Sequence, residues 1–124
     1  MNDFIISQLM LASSNVRSVS LLSPRGMLKG FKMREDISLL LTPDQMGDLA
    51  MQLNELVRSL FRYSKKIGFL HYLYLDFDDV HALVFQLADR NLLLITVEKM
   101  EYDVPRFARY VSKLLHKNEM TFDR

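Results

Sequence analysis

The sequence contains no cysteine, four glycines and three prolines, and these low counts exclude several kinds of site. Without cysteine the chain has no disulfide, no thiolate metal ligand and no cysteine nucleophile, which suits a reducing cytoplasm. The glycines do not have the spacing of a G-x-G-x-x-G or phosphate-binding loop. No serine occupies a G-x-S-x-G nucleophile elbow. We therefore expect a protein that is not an enzyme and that has no cofactor.

The sequence also lacks an excess of charge of one sign and a long apolar run. Sixteen basic and fifteen acidic residues give a net charge of +1, whereas dedicated nucleic-acid binders usually have a strongly basic face. No stretch approaches the roughly 20 apolar residues of a membrane span. The apolar start does not fit a signal peptide, because Asp3 stands where a basic residue belongs. We expect a soluble, cytoplasmic protein with no nucleic-acid partner and no membrane span.

What the sequence does contain is a clear order of segments in which apolar residues recur at helical or at strand spacing. Its 124 residues suit one domain. A helical pattern comes first, a long helix separates the second strand pattern from the third, and a helix capped by Asp103 comes last. The strand patterns cover 16–22, 27–33, 69–77, 80–87 and 92–97. This order predicts an α+β sandwich in one domain over 1–124, with 118–124 as a frayed tail.

The long central helix has the strongest local signals in the sequence. Thr42 and Gln45 form a capping box around Pro43, and Gly68 stands where a left-handed C-cap belongs. Its apolar face is predicted to comprise Met46, Leu49, Ala50, Leu53, Leu56, Val57, Leu60 and Phe61. Met51 is an exception, because it projects an apolar side chain away from that face.

Histidines and carboxylates near the third and fourth strand patterns could form part of a metal site. His71 and His81 could face each other across a hairpin, with Asp76, Asp78 and Asp79 near the same turn. A zinc site normally needs three or four protein ligands. Ordinary strand histidines and solvated turn aspartates are the favoured interpretation, so we expect no metal.

Three segments together resemble the Roadblock/LC7 family. They are VRSVSLLSPRGML, the helix TPDQMGDLAMQLNEL, and LHYLYLDFDDVHALVFQLADRNLLLITV, and the resemblance covers nearly the whole chain. It implies a profilin-like α+β sandwich of two or three layers around a five-stranded antiparallel sheet, in the order α-β-β-α-β-β-β-α.

The resemblance also implies a function. Proteins of this family form dimers in which the third strands pair edge to edge and the second helices lie side by side. Their paired helices commonly serve as a platform for Ras-like small GTPases. Here the implied dimer contacts are Met51, Arg58, His71, Tyr72, Leu73 and Tyr74. The implied GTPase-binding residues are Asp48, Gln52, Glu55, Ser59 and Arg62.

The sequence thus favours a homodimeric Roadblock-type adaptor that regulates a small GTPase without chemistry of its own. Two alternatives remain open at this point. A PAS-like sensor domain has a related element order and encloses a small molecule between helix and sheet, although it usually has several short central helices. A structural scaffold subunit without a GTPase partner would have the same sequence features.

Overall fold

A computed structural model describes residues 2–38, 40–99 and 103–121. The element order is the predicted one, with one additional short helix after the long central helix. The elements are α1 (Asn2–Leu11), β1 (Val16–Leu22), β2 (Leu28–Met33), α2 (Pro43–Phe61), α3 (Ser64–Ile67), β3 (Leu73–Asp76), β4 (Val80–Gln86), β5 (Leu92–Glu98) and α4 (Val104–Lys117).

The strands form one five-stranded sheet in the order β2-β1-β5-β4-β3. Every neighbouring pair is antiparallel, which confirms the predicted sheet. The β1–β2 hairpin and the β3–β4–β5 meander meet where β1 pairs with β5. Strands β2 and β3 are therefore the two edges, and each has backbone groups on its outer side that no strand of the described residues pairs with.

Helices cover both faces of the sheet, so the sandwich has three layers. Helices α1 and α4 pack on one face, and α2 packs on the other. The buried residues of the first face are Ile5, Ile6, Leu9, Val16, Val19, Leu21, Leu83, Phe85, Leu87, Leu93, Ile95, Val97, Ala108, Val111 and Leu115. Those of the α2 face are fewer: Leu22, Ala50, Leu53, Ala82, Val84, Leu92 and Leu94.

Helix α2 begins as predicted but ends earlier. The Thr42 side chain accepts from Gln45 N at 3.2 Å, and the Gln45 side chain accepts from Thr42 N at 3.0 Å, so both bonds of the capping box form. The helix ends at Phe61, because Tyr63 N donates to Leu60 O in a tightened last turn.

The short helix α3 follows this break in α2. Gly68, expected as the C-cap of one long helix, instead ends α3 with a φ of 90°.

A close contact between two glycines fixes the position of α2. The turn between β1 and β2 touches the first turns of the helix at Gly26 and Gly47. A Cβ atom added to either glycine would lie 2.6 Å from the other's carbonyl oxygen. Gly26 also has a φ of 86°, a conformation that glycine adopts without strain. The turn and the helix therefore approach more closely than side chains would allow.

The start of α4 agrees with the sequence prediction, and the residues that follow the helix pack more closely than a frayed tail would. The Asp103 side chain accepts from Arg106 N at 3.0 Å, which confirms the predicted N-cap. Of the predicted frayed tail, residues 118–121 lie against the domain: Ala88 N donates to Met120 O at 2.8 Å, and Met120 packs on the core. Residues 122–124 are outside the described residues. Among the described residues, no helix is long and apolar enough to cross a bilayer.

Candidate protein-interaction surface

The five residues that sequence analysis assigned to GTPase binding lie together on the solvent side of α2. They are Asp48, Gln52, Glu55, Ser59 and Arg62, and all five lie at the surface. Their spacing of three or four residues aligns them along one stripe of the helix. The stripe is acidic near the start of the helix and basic at its end.

Apolar side chains border this polar stripe on both sides. Met51 is 48% exposed, and it lies on the same flank as the exposed Arg58. Leu56, which the periodicity placed in the core, is 45% exposed on the other flank. The prediction for Leu56 was wrong because the sheet lies under only part of the predicted apolar sector. The solvent side of α2 therefore carries more apolar surface than the sequence pattern indicated.

Strand β3 is the sheet edge whose leucines pack against the core under α2, and it is shorter than predicted. Leu73 and Tyr74 lie in the strand, whereas His71 and Tyr72 precede it. Tyr72 is half-buried, with its ring centroid 5.6 Å from that of Phe85. Of the four predicted dimer contacts here, His71 and Tyr74 are exposed, and Leu73 is half-buried under α2.

The segment between α2 and β3 forms an exposed apolar cluster that sequence analysis missed. Its members, which we call the connector cluster, are Phe61, Tyr63, Ile67, Phe69 and Leu70. Phe61 is 59% exposed, and its ring centroid lies 5.9 Å from that of Phe69. Several large apolar side chains exposed within one short segment favour a protein contact there. The signal in the sequence was the density of large apolar residues around the lysines at 65 and 66.

A polar network closes the far end of β3. Lys99 Nζ lies 2.6 Å from Asp76 Oδ1 and donates to the Phe77 carbonyl at 2.6 Å. His81 Nε2 lies 3.1 Å from the same Asp76 oxygen, and the Tyr74 hydroxyl lies 3.0 Å from His81 Nδ1. The network ties β3 and β4 to the end of β5.

Three groups of this network have shifted pKa values. The Lys99 hydrogen bond lowers the pKa of Asp76, and the same bond raises the pKa of Lys99. Burial, followed by the nearby Asp76 charge, raises the pKa of Tyr74. Asp76 is thus ionised over most of the pH range, and the network is held by its negative charge.

His71 and His81 do not face each other across the hairpin, as a shared metal site would require. His81 pairs across the hairpin with Asp76, so the strand register directs it away from His71. Among the described residues, no group of three or more histidine, aspartate or glutamate side chains could hold a metal ion. The geometry here is that of a hydrogen-bonded strand end.

Solved structures match this arrangement of sheet, helices and edges. The gliding protein MglB of Thermus thermophilus superposes with a TM-score of 0.69 at 11% identity, over 93% of this chain and 85% of that one. A Roadblock/LC7 domain of Streptomyces avermitilis gives 0.62 at 20% identity, over 94% and 95%. The chain has the Roadblock/LC7 fold. The fold that the sequence resemblance implied is therefore confirmed.

A further MglB structure with the same fold has a tetrameric arrangement. It matches with a TM-score of 0.64 at 10% identity, over 93% of this chain and 88% of that one. No protein-family model matches the sequence. No curated protein matches it either. At identities of 10–20% the similarity establishes the Roadblock/LC7 fold, and function has to be argued from this chain's own surfaces.

Proposed function

We propose that this chain is a cytoplasmic, homodimeric Roadblock-type adaptor that binds and regulates a Ras-like small GTPase, with no chemistry of its own. The observation that carries the proposal is a set of three exposed features in a Roadblock/LC7 fold. These are the face of α2 with Met51 and Leu56, the connector cluster, and the edge of β3 that no described strand pairs with. Exposed apolar surface and an open sheet edge both suit a protein partner.

The two edges of the sheet differ in how well they resist pairing. Strand β2 carries Lys29 and Lys32, which are exposed, and lysine on an edge strand discourages association. Strand β3 presents Leu73, Tyr74 and Leu75 and carries no charge before its last residue, Asp76. A second copy that adds its own β3 would pair the outer backbone N–H and C=O groups of this strand. It would also cover the apolar side chains. This difference favours β3 as the self-pairing edge.

The charges of α2 favour a twofold arrangement. Asp48 and Glu55 precede Arg58 and Arg62 along the helix, so its exposed face is acidic first and basic later. In a twofold dimer the same patch meets itself. If two α2 helices lie antiparallel, the acidic part of one faces the basic part of the other. Met51 lies between Asp48 and Glu55, so the basic part of the second copy then covers it.

Self-association is tested with Met51→Asp, an exposed change that leaves the core intact. Burying one methionine stabilises by about 1.5–3 kcal/mol, and a twofold interface contains it twice. We therefore expect the dimer dissociation constant to rise about 100-fold, which corresponds to about 2.8 kcal/mol, measured by sedimentation equilibrium.

The matched control for this experiment is Leu11→Asp. Leu11 is an exposed apolar residue at the end of α1, on the opposite face of the sheet. The control should associate like the wild type. Equal masses for wild type and Met51→Asp at every concentration would contradict the proposed interface.

GTPase binding is tested with Glu55→Lys, which reverses a charge in the centre of the polar stripe. Purified Ras-like GTPases from the source genome, loaded with GDP or a non-hydrolysable GTP analogue, are titrated and their GTP turnover is measured. We expect the wild-type protein to bind the GTPase in one of its two nucleotide states. Glu55→Lys should bind that state at least about 10-fold more weakly, because charge complementarity selects the partner.

The control for GTPase binding is Glu35→Lys, a change of the same kind in the turn after β2. This variant should bind the GTPase like the wild type and retain the wild-type dimer mass. Because Glu55 also contributes to the charge pairing proposed for the dimer, Glu55→Lys is titrated at a concentration where sedimentation shows it to be dimeric. A stable dimer that binds none of the GTPases in either nucleotide state would sink the GTPase proposal and favour the scaffold alternative.

A further inference from the structure

A cavity of about 370 Å³ lies on the α2 face of the sheet, beyond the start of that helix. The connection between β2 and α2 covers it on one side, and the turn between β3 and β4 borders it on another. Residues from all five strands contribute to its lining. Its apolar wall includes Phe31, Met33, Leu41, Met46, Leu75 and Leu94. Ligand pockets occupy roughly 300–1,000 Å³, so this cavity has the size of a small ligand site.

The floor of the cavity contains a buried hydroxyl, that of Ser20. Ser20 is 0% exposed, and its Oγ has no hydrogen-bond partner among the described residues. The neighbouring hydroxyls of Ser18 and Thr96, also in the lining, are hydrogen-bonded to each other across β1 and β5. Buried polar side chains are hydrogen-bonded in the large majority of cases. Because Ser20 lines the cavity, its hydroxyl is a polar group that can bond a molecule there once that molecule reaches it.

Charges in the lining restrict what can enter. Asp78 and Asp79 line the cavity at the exposed β3–β4 turn, and no lysine, arginine or histidine is among the described lining residues. An anionic ligand would be repelled by these carboxylates, and no basic side chain in this described lining compensates for its loss of water. A neutral molecule encounters neither penalty.

We propose that this cavity binds a small, neutral, mostly apolar molecule, with one hydroxyl, carbonyl or uncharged arylamine group bonded to the Ser20 hydroxyl. The apolar wall would stabilise the body of the molecule, and Ser20 would orient it. The site lies within one copy of the chain, so it goes beyond the adaptor function and does not depend on dimerisation or on a GTPase.

Two fluorescent probes with the same ring system test the proposal. N-phenyl-1-naphthylamine is neutral and carries one N–H group, whereas 8-anilinonaphthalene-1-sulfonate adds a sulfonate to that skeleton. We expect the neutral probe to bind with a stoichiometry of one per chain and at least 10-fold more tightly than the anionic one. No saturable binding of the neutral probe, or tighter binding of the anionic probe, would overturn the proposal.

Variants at the floor show whether the probe occupies this cavity or an exposed apolar patch. Ser20→Val fills the floor and should weaken the neutral probe at least 10-fold. Ser20→Ala keeps the space and removes only the hydroxyl, so we expect a loss of about 2- to 10-fold, as for one hydrogen bond. Unchanged affinity in folded Ser20→Val would place the probe elsewhere and overturn the proposal.

A second pair of changes keeps the test decisive if Ser20→Val does not fold. Asp78→Asn with Asp79→Asn alters only exposed turn residues. The double variant should bind the anionic probe several-fold more tightly than wild type and leave the neutral probe unchanged. An unaltered preference between the two probes would contradict the assigned site. Repeating the titration with Met51→Asp separates this result from dimerisation, because the cavity should bind equally well in a monomer.

Discussion

The two faces of the sheet differ in how completely the chain covers them. On the α1/α4 face, two helices and three strands form a continuous buried core. On the α2 face, a single helix covers a smaller core, and beside it lie the cavity, Met51 and Leu56. Because apolar burial is the dominant stabilising term in folding, the first face holds the domain together. The second face leaves more apolar surface uncovered, including Met51 and Leu56.

The largest expected effect compares two neighbouring leucines of β5 that point to opposite faces. Leu93 is buried in the α1/α4 core, whereas Leu94 lines the cavity. Leucine-to-alanine changes in cores cost about 2–5 kcal/mol, depending on how much packing is lost. We expect Leu93→Ala to lower the free energy of unfolding by roughly 4 kcal/mol and Leu94→Ala by roughly 2 kcal/mol. Urea denaturation measures both, and equal losses would contradict the contrast between the faces.

A smaller effect concerns the contact that holds α2 in place. Gly47→Ala should gain about 1 kcal/mol of helix propensity. The new Cβ would, however, lie 2.6 Å from the Gly26 carbonyl oxygen, and such overpacking costs about 1–3 kcal/mol. We expect a net loss of about 1 kcal/mol in urea denaturation, whereas Ser59→Ala on the exposed stripe should be neutral or slightly stabilising. A more stable Gly47→Ala protein would show that the helix can move away from the turn.

An effect of similar size but opposite sign is expected at the cavity floor. Ser20→Ala removes a buried hydroxyl that has no partner among the described residues, and should raise the free energy of unfolding by about 1 kcal/mol. Ser18→Ala removes a hydroxyl that is bonded to Thr96 and should lower it by about 1 kcal/mol. Thermal unfolding of the two variants checks the signs. Destabilisation of both would mean that the Ser20 hydroxyl already has a stabilising role.

The smallest effect is a pH dependence at the end of β3. The pKa of Asp76 is lowered in the folded chain, so its contribution is present above the ordinary value of 3.8 and is lost as pH falls through the lower folded value. Asp76→Asn should therefore be less stable than wild type at pH 7, and the difference should shrink at pH 3. Denaturation at both pH values tests this. A difference that is constant between the two would exclude a role for the carboxylate charge.

Much of the fold follows from local signals in the sequence. The capping box at Thr42 and Gln45, the cap at Asp103 and the bounds of β1 are visible because each depends on residues close in the chain. The fold class follows from the order in which helical and strand patterns of apolar residues occur along the chain.

The end of α2 and the extent of β3 did not follow from the sequence. Phe61 has the right helical phase for burial, but it is the last residue of the helix and is exposed there. Periodicity gives the direction of a side chain and contains no information about whether the sheet extends beneath it.

The candidate surface was only partly visible in the sequence. Met51 could be singled out because an apolar residue off the core face is anomalous on a helix. The connector cluster could not, because its residues belong to a segment that the pattern divided between a helix and a strand. The cavity depends on where Ile37, Ser38, Leu40 and Leu41 lie after β2, and Ser20 looked like an ordinary residue of an interior strand. The alternative in which His71 faces His81 could not be decided from the sequence, because hairpin register depends on the turn, which here pairs His81 with Asp76.

Amide hydrogen exchange at the two sheet edges tests the central claim most directly. If a second copy completes the α2 face and the β3 edge, exchange in β3 should slow as the concentration rises from micromolar to millimolar. Exchange in the lysine-bearing β2 edge should stay equally fast throughout. Rates in β3 that remain independent of concentration, in a protein whose mass stays at 14.6 kDa, would contradict the account.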